Sequence, residues 1–205
     1  MIVLAPPVCL VCDFCFIFIP LHVRQDDTLE WQEKSFEASL ESLSKSKRNH
    51  VIHYLLRDHF TGAFYGEVAC SADIMDAKDF LHRAWSQKKQ RPFCGVPNAI
   101  TIPNTVSEMF PTTVHLVEAL GIHRIKATSG FQAGVRDLRT WEEQIRTHPR
   151  FCETGKTFQN LQENACTLSI EICTSCDDRK NKLKIWAEGV DTLYVPPPLE
   201  RFQNL

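Results

Sequence analysis

Asp13 is the lone charge in the apolar run from Val8 to Ile19. A carboxylate in such a run is costly unless it binds a metal or finds hydrogen-bond donors. The alternative is a terminal segment in which Asp13 faces water. Asp137 follows Val135 and Arg136 in the first turn of a helix, where a carboxylate steadies the helix dipole. Asp58 stands just before Thr61-Gly62, and turn capping by its side-chain oxygen is the expected role. Cys9, Cys12 and Cys15 form two overlapping C-x-x-C pairs, and Cys173 with Cys176 forms another. Thiolates at that spacing can share a zinc ion. Here the first three lie in an apolar run, so buried free thiols are expected instead. His50, His53, His59, His82, His115, His123 and His148 show no ligand spacing and are expected to be scattered or satisfied.

These residues depend on the elements that carry them. Val8 to Ile19 reads as a central strand buried on both faces and ended by Pro20. Residues 22–49 are polar, with Leu29, Phe36, Leu40 and Leu43 at roughly helical spacing, and read as a helical or partly ordered insertion. His50 to Leu56 and Ala63 to Ala69 form an antiparallel hairpin around the turn from Asp58 to Gly62. Ser71 or Asp73 caps a helix lined by Ile74, Ala77, Leu81 and Trp85. Ala99 to Ile102 is a short strand stopped by Pro103. Pro111 opens the next helix and Gly121 follows its end. Ile122 to Ala127 is a further strand, and Val135, Leu138, Trp141 and Ile145 mark one more helix. Thr157 to Cys173 reads as a helix, Leu183 to Trp186 as a strand or helix end, and Val195 to Pro198 as an exposed extended segment. Strands, a hairpin and then alternating strands and helices define an α/β domain with a mixed sheet.

The chain has 205 residues and a net charge of −2, so any nucleic-acid contact needs a local basic face. Basic residues gather at Lys45, Lys47 and Arg48, at Lys88, Lys89 and Arg91, and at Arg179, Lys180, Lys182 and Lys184. Each cluster is also what a solvated loop or helix end looks like. The apolar start has no basic region before it, and Asp13, Pro6 and Pro7 interrupt it. No membrane partner is expected, and nine cysteines without an export signal suggest a reducing, cytoplasmic setting.

Several segments together resemble the catalytic core of retroviral-type integrases and transposases. The hairpin from Tyr54 to Val68 resembles the second and third strands of that core. Gly95-Val96-Pro97 through Ile102, then Asn104, Ser107-Glu108-Met109-Phe110 and Leu120-Gly121-Ile122, resemble the fourth strand and the following helix. Gly134-Val135-Arg136-Asp137 resembles the segment that carries the third acidic residue. The resemblance covers roughly residues 8–147, and the order and spacing of the segments carry it.

The resemblance implies a ribonuclease H-like mixed sheet flanked by helices. It implies a core over residues 1–150, with the insertion at about 22–49 and a C-terminal extension over 151–205. The family joins DNA strands at two Mg²⁺ ions, with Mn²⁺ as a substitute, held by carboxylates. By position the catalytic and metal-binding residues are Asp13, Asn104 and Asp137. Asp26, spelled Asp-x-Thr with Thr28, competes with Asp13 for the first place. Asn104 stands where the family has a second carboxylate, and an amide brings no negative charge. Asp137 replaces the usual Glu and is one methylene shorter. Both departures imply weakened or lost DNA integration activity. The expected partners are DNA and either a second copy or a transposase subunit. The other readings are a non-catalytic DNA-binding or transposase-partner protein from the same mobile-element ancestry, and an unrelated α/β protein.

Overall fold

A computed structural model of the chain describes residues 11–32, 40–89, 93–126, 135–148, 156–174, 177, 179–189 and 194–205. The strands are β1 (Val11–Val23), β2 (Leu29–Trp31), β3 (Asn49–Asp58), β4 (Phe64–Cys70), β5 (Ala99–Ile102) and β6 (His123–Lys126). The helices are α1 (Leu40–Lys45), α2 (Ala77–Trp85), α3 (Asn104–Met109), α4 (Pro111–Ala119), α5 (Val135–Thr147), α6 (Phe158–Cys173), α7 (Lys182–Gly189) and α8 (Leu199–Gln203).

The strands form one sheet in the order β4-β3-β1-β5-β6, with β2 paired to the far end of β1. β3 runs antiparallel to both β1 and β4, whereas β5 is added parallel to β1 and β6 parallel to β5. Three long antiparallel strands followed by two parallel ones on the other side of the first is the ribonuclease H-like arrangement. The parallel pair needs a crossover, and α3 and α4 supply it.

Directly paired residues share a face of a sheet, and successive residues alternate. Phe14 and Tyr54 therefore point to one face, where Phe80 of α2 packs 5.3 Å from the first ring and 5.4 Å from the second. Asp13, His53, Arg57 and Phe64 point to the other. There Trp141 of α5 lies 4.5 Å from His53 and 6.1 Å from Phe64. The helix α6 packs on β4 and α5 beside it. Burial of both faces explains the near-continuous apolar runs of β1 and β3.

Gly66 on β4 sets how closely α5 approaches. A Cβ at this position would lie 2.4 Å from Cη2 of Trp141 and 2.7 Å from its Cζ3. Trp141 is fully buried and has nowhere to yield. Gly66→Ala should therefore cost about 2 kcal/mol through overpacking. Chemical denaturation reads the loss, and pairing the change with Trp141→Leu should recover part of it. An unchanged midpoint would show that α5 does not rest on this strand.

Several elements differ from the sequence expectation. Pro20 does not end β1, which continues to Val23. The β1–β3 register shifts between Phe18 and His22, and a residue without an N–H fits inside that break. The expected helical insertion holds a turn, the strand β2 containing Leu29, and the short α1, while residues 33–39 lie outside the described set. Asp76, not Ser71 or Asp73, caps α2: its Oδ1 accepts the Lys78 N–H at 2.7 Å. Of the two readings for Leu183 to Trp186, the helical one holds, within α7. Val195 is exposed as expected, but Tyr194 bridges to Val96, and Phe202 of α8 is fully buried against Trp85 and His82. The division near residue 150 falls outside the described residues, as does the loop over 127–134. Among the described residues no helix is long and apolar enough to cross a membrane.

Candidate functional site

β1 is central, and its ladders align Arg57 of β3, Asp13 of β1 and Thr101 of β5 in one row across the sheet. Asp13 is 1 % exposed and points to the face covered by α5. Asp137 sits in the first turn of that helix and is itself buried. The two carboxylates meet at one side chain. Arg57 donates from Nε to Asp137 Oδ2 at 2.6 Å and from Nη1 to Asp13 Oδ2 at 3.4 Å. Lys182, at the start of α7, donates to Asp137 Oδ1 at 2.7 Å. Nδ1 of His59, just past the end of β3, lies 3.2 Å from Asp13 Oδ2.

The third sequence candidate makes no bond to this network. Pro103 is the N-cap of α3 and Asn104 its first residue. Asn104 is exposed and bonds to neither carboxylate. Asp26 lies in the exposed turn between β1 and β2, where its Oδ1 accepts the Thr28 N–H and hydroxyl at 3.1 and 2.6 Å. Asp58 caps its turn as expected, accepting from the Thr61 N–H and hydroxyl at 2.8 and 2.7 Å.

The cysteines near the site are thiols rather than thiolates. Burial, reinforced by Asp13, pushes Cys15 up to about 12. Cys12 is raised well above its ordinary value by burial, then by Asp58 and Asp13. Burial also raises Cys173, to about 11. Cys9 and Cys176 lie outside the described residues.

A two-ion centre would need several carboxylate oxygens turned toward shared cations about 3.5–4 Å apart. The residues present do not fit it. One oxygen of each carboxylate lies against the Arg57 guanidinium, and the second oxygen of Asp137 accepts from the Lys182 ammonium. The two carboxylates thus face a guanidinium and an ammonium. Among the described residues no group of three or more His, Cys, Asp or Glu is placed to hold a metal ion. Chemically, the arrangement is a part-buried ion-pair network that ties α5 and α7 to the sheet.

Sequence reasoning passed over Arg57, His59 and Lys182. Arg57 had a signal: it is the one Lys or Arg in β3, a strand otherwise largely apolar, and the register places it beside Asp13. Lys182 had none, because its partner lies 45 residues earlier.

The fold class is therefore an α/β domain with a ribonuclease H-like sheet, an assignment that rests on strand order and direction. No family model matches the chain, and no curated protein matches it. Among solved structures it is similar to a chain of the simian T-cell lymphotropic virus intasome in complex with PP2A regulatory subunit B56 gamma. That likeness has a TM-score of 0.47 at 12% identity and covers 96% of this chain. The chain spans 61% of the length of that neighbour.

Proposed function

We propose that this chain is an integrase- or transposase-like core for DNA integration whose strand-transfer activity is lost or severely weakened. The supporting observation is the Arg57 guanidinium lying between Asp13 and Asp137, at the places where the family resemblance puts metal-binding carboxylates. Asn104 adds to it, since an exposed amide gives a third position without charge. A protein of this kind keeps the fold for binding DNA or a catalytically complete partner subunit. The alternative of a core active with Mg²⁺ or Mn²⁺ requires Arg57 to leave both carboxylates and Lys182 to leave Asp137.

A strand-transfer and nicking assay with Mg²⁺ and with Mn²⁺ tests the proposal. Turnover should stay at the level of the Asp13→Ala variant with either ion. Robust turnover that disappears on Asp13→Ala would refute the loss of activity.

A further inference from the structure

At the opposite end of the β1–β3 ladder from the carboxylates, three basic side chains stack in a row. His22 and His50 are cross-strand partners, 3 % and 2 % exposed, with ring centroids 4.8 Å apart. Arg48 Nη1 lies 3.2 Å from His22 Nε2. The Ser46 hydroxyl lies 2.8 Å from His50 Nε2. A guanidinium can only donate, so His22 Nε2 accepts, and the His22 ring is neutral with its proton on Nδ1. His22 and Arg48 also border an open groove of about 590 Å³, lined with them by Arg24, Asp26, Glu30 and Lys47 among others.

The charged groups around the pair come from every neighbouring segment. Arg24 and Glu30 neutralise one another at 2.9 Å. Asp26 spends an oxygen on Thr28. Among the described residues Lys47 has no hydrogen bond or ion pair, and Arg48 bonds to His22 and, through its backbone, to Ser46. Burial and then Arg48 hold His22 below its ordinary value, against the Asn49 backbone and Glu30, which raise it. Burial, His22 and Arg48 lower His50 to about 4. The groove thus carries Lys47 and Arg48, the latter bonded to a neutral His22 ring that pairs with His50.

We propose that this groove is a proton-linked phosphodiester site, in which Arg48 and Lys47 bind a backbone phosphate of nucleic acid. An anion draws Arg48 off His22 Nε2. The freed nitrogen takes a proton from solvent, and the imidazolium then faces the phosphate. Binding one anion is coupled to uptake of one proton, so affinity rises as pH falls. The choice of nucleic acid as the source of the phosphodiester rests on the function proposed above; the anion chemistry does not.

The test is an NMR titration of the His22 and His50 ring signals in the whole chain. The first probe is dimethyl phosphate, a monoanion throughout the range used, and the second a short DNA duplex. Both should shift the ring signals. The duplex should bind about tenfold more tightly at pH 5.5 than at pH 7.5, and Arg48→Gln and Lys47→Gln should each weaken it in a salt-dependent way. The His22→Gln variant should bind with the pH dependence removed. Absence of ring shifts with either probe, or equal binding by Arg48→Gln, overturns the site. Shifts with dimethyl phosphate but none with duplex overturn the nucleic-acid source while leaving the anion chemistry standing. The strand-transfer result is read separately from all of these.

Discussion

Replacing Arg57 with alanine should destabilise the fold by about 3–5 kcal/mol, the usual cost of removing one partner from a buried ion pair. Asp13 is almost wholly enclosed, and its other neighbour, the His59 ring, is half exposed. Asp137 keeps Lys182 but loses the 2.6 Å bond to the guanidinium. The loss is a desolvation penalty on carboxylates left behind, so it should shrink when they are neutralised. Arg57→Ala combined with Asp13→Asn should therefore be more stable than Arg57→Ala alone. Urea unfolding of the four proteins in that cycle measures the coupling. A loss below about 0.5 kcal/mol for Arg57→Ala, the range of ordinary surface changes, would mean the pair is solvated and the network has no structural role. The same variant also exposes both carboxylates to added cations. Mn²⁺ should raise the stability of Arg57→Ala and leave the parent chain unchanged.

The second large effect is acid sensitivity from His53. This ring is fully buried against Trp141, and neither ring nitrogen has a hydrogen-bond partner among the described residues. Burial lowers it to about 3. The unfolded chain takes up a proton near 6.5, while the folded chain stays neutral until far lower pH. Stability from this group is therefore full above about pH 6.5 and is lost as pH falls toward the folded value. Between pH 6.5 and 4 the loss is on the order of 3 kcal/mol, at 1.36 kcal/mol per unit. His53→Leu removes the titrating group and an unpaired buried donor together. Its stability should match or exceed the parent at pH 7 and fall much less steeply on acidification. Parallel stability–pH curves for the two proteins would show that the ring is not buried as described.

How much of this was legible in the sequence follows from the range of each signal. Local patterns identified β3, β4, β5, α5 and α6, because alternating or helical apolar spacing is set within a few residues of its own chain. Pro111 and Gly121 bracketed α4 correctly for the same reason. Asp13 stood out because one carboxylate in an apolar run is a local anomaly, and Asp58 because turn chemistry is local. The extension of β1 beyond Pro20 was not readable: it depends on a register break against β3, a long-range event. The strand at Leu29–Trp31 looked helical because three residues pairing with the end of β1 need no pattern of their own. The partners of Asp13 and Asp137 were hidden for a related reason. Arg57 and Lys182 are ordinary basic residues until a sheet register and a docked helix bring them to the carboxylates. The family resemblance supplied positions for three ligands, but said nothing about cations from elsewhere in the chain that would occupy them.

A crystal soaked in Mn²⁺ and measured for anomalous scattering addresses the account most directly. The guanidinium of Arg57 should remain between Asp13 and Asp137, with Lys182 on the outer oxygen and no manganese peak within bonding distance of either carboxylate. A manganese ion bridging Asp13 and Asp137, with Arg57 displaced, would contradict the account and restore a metal-dependent core.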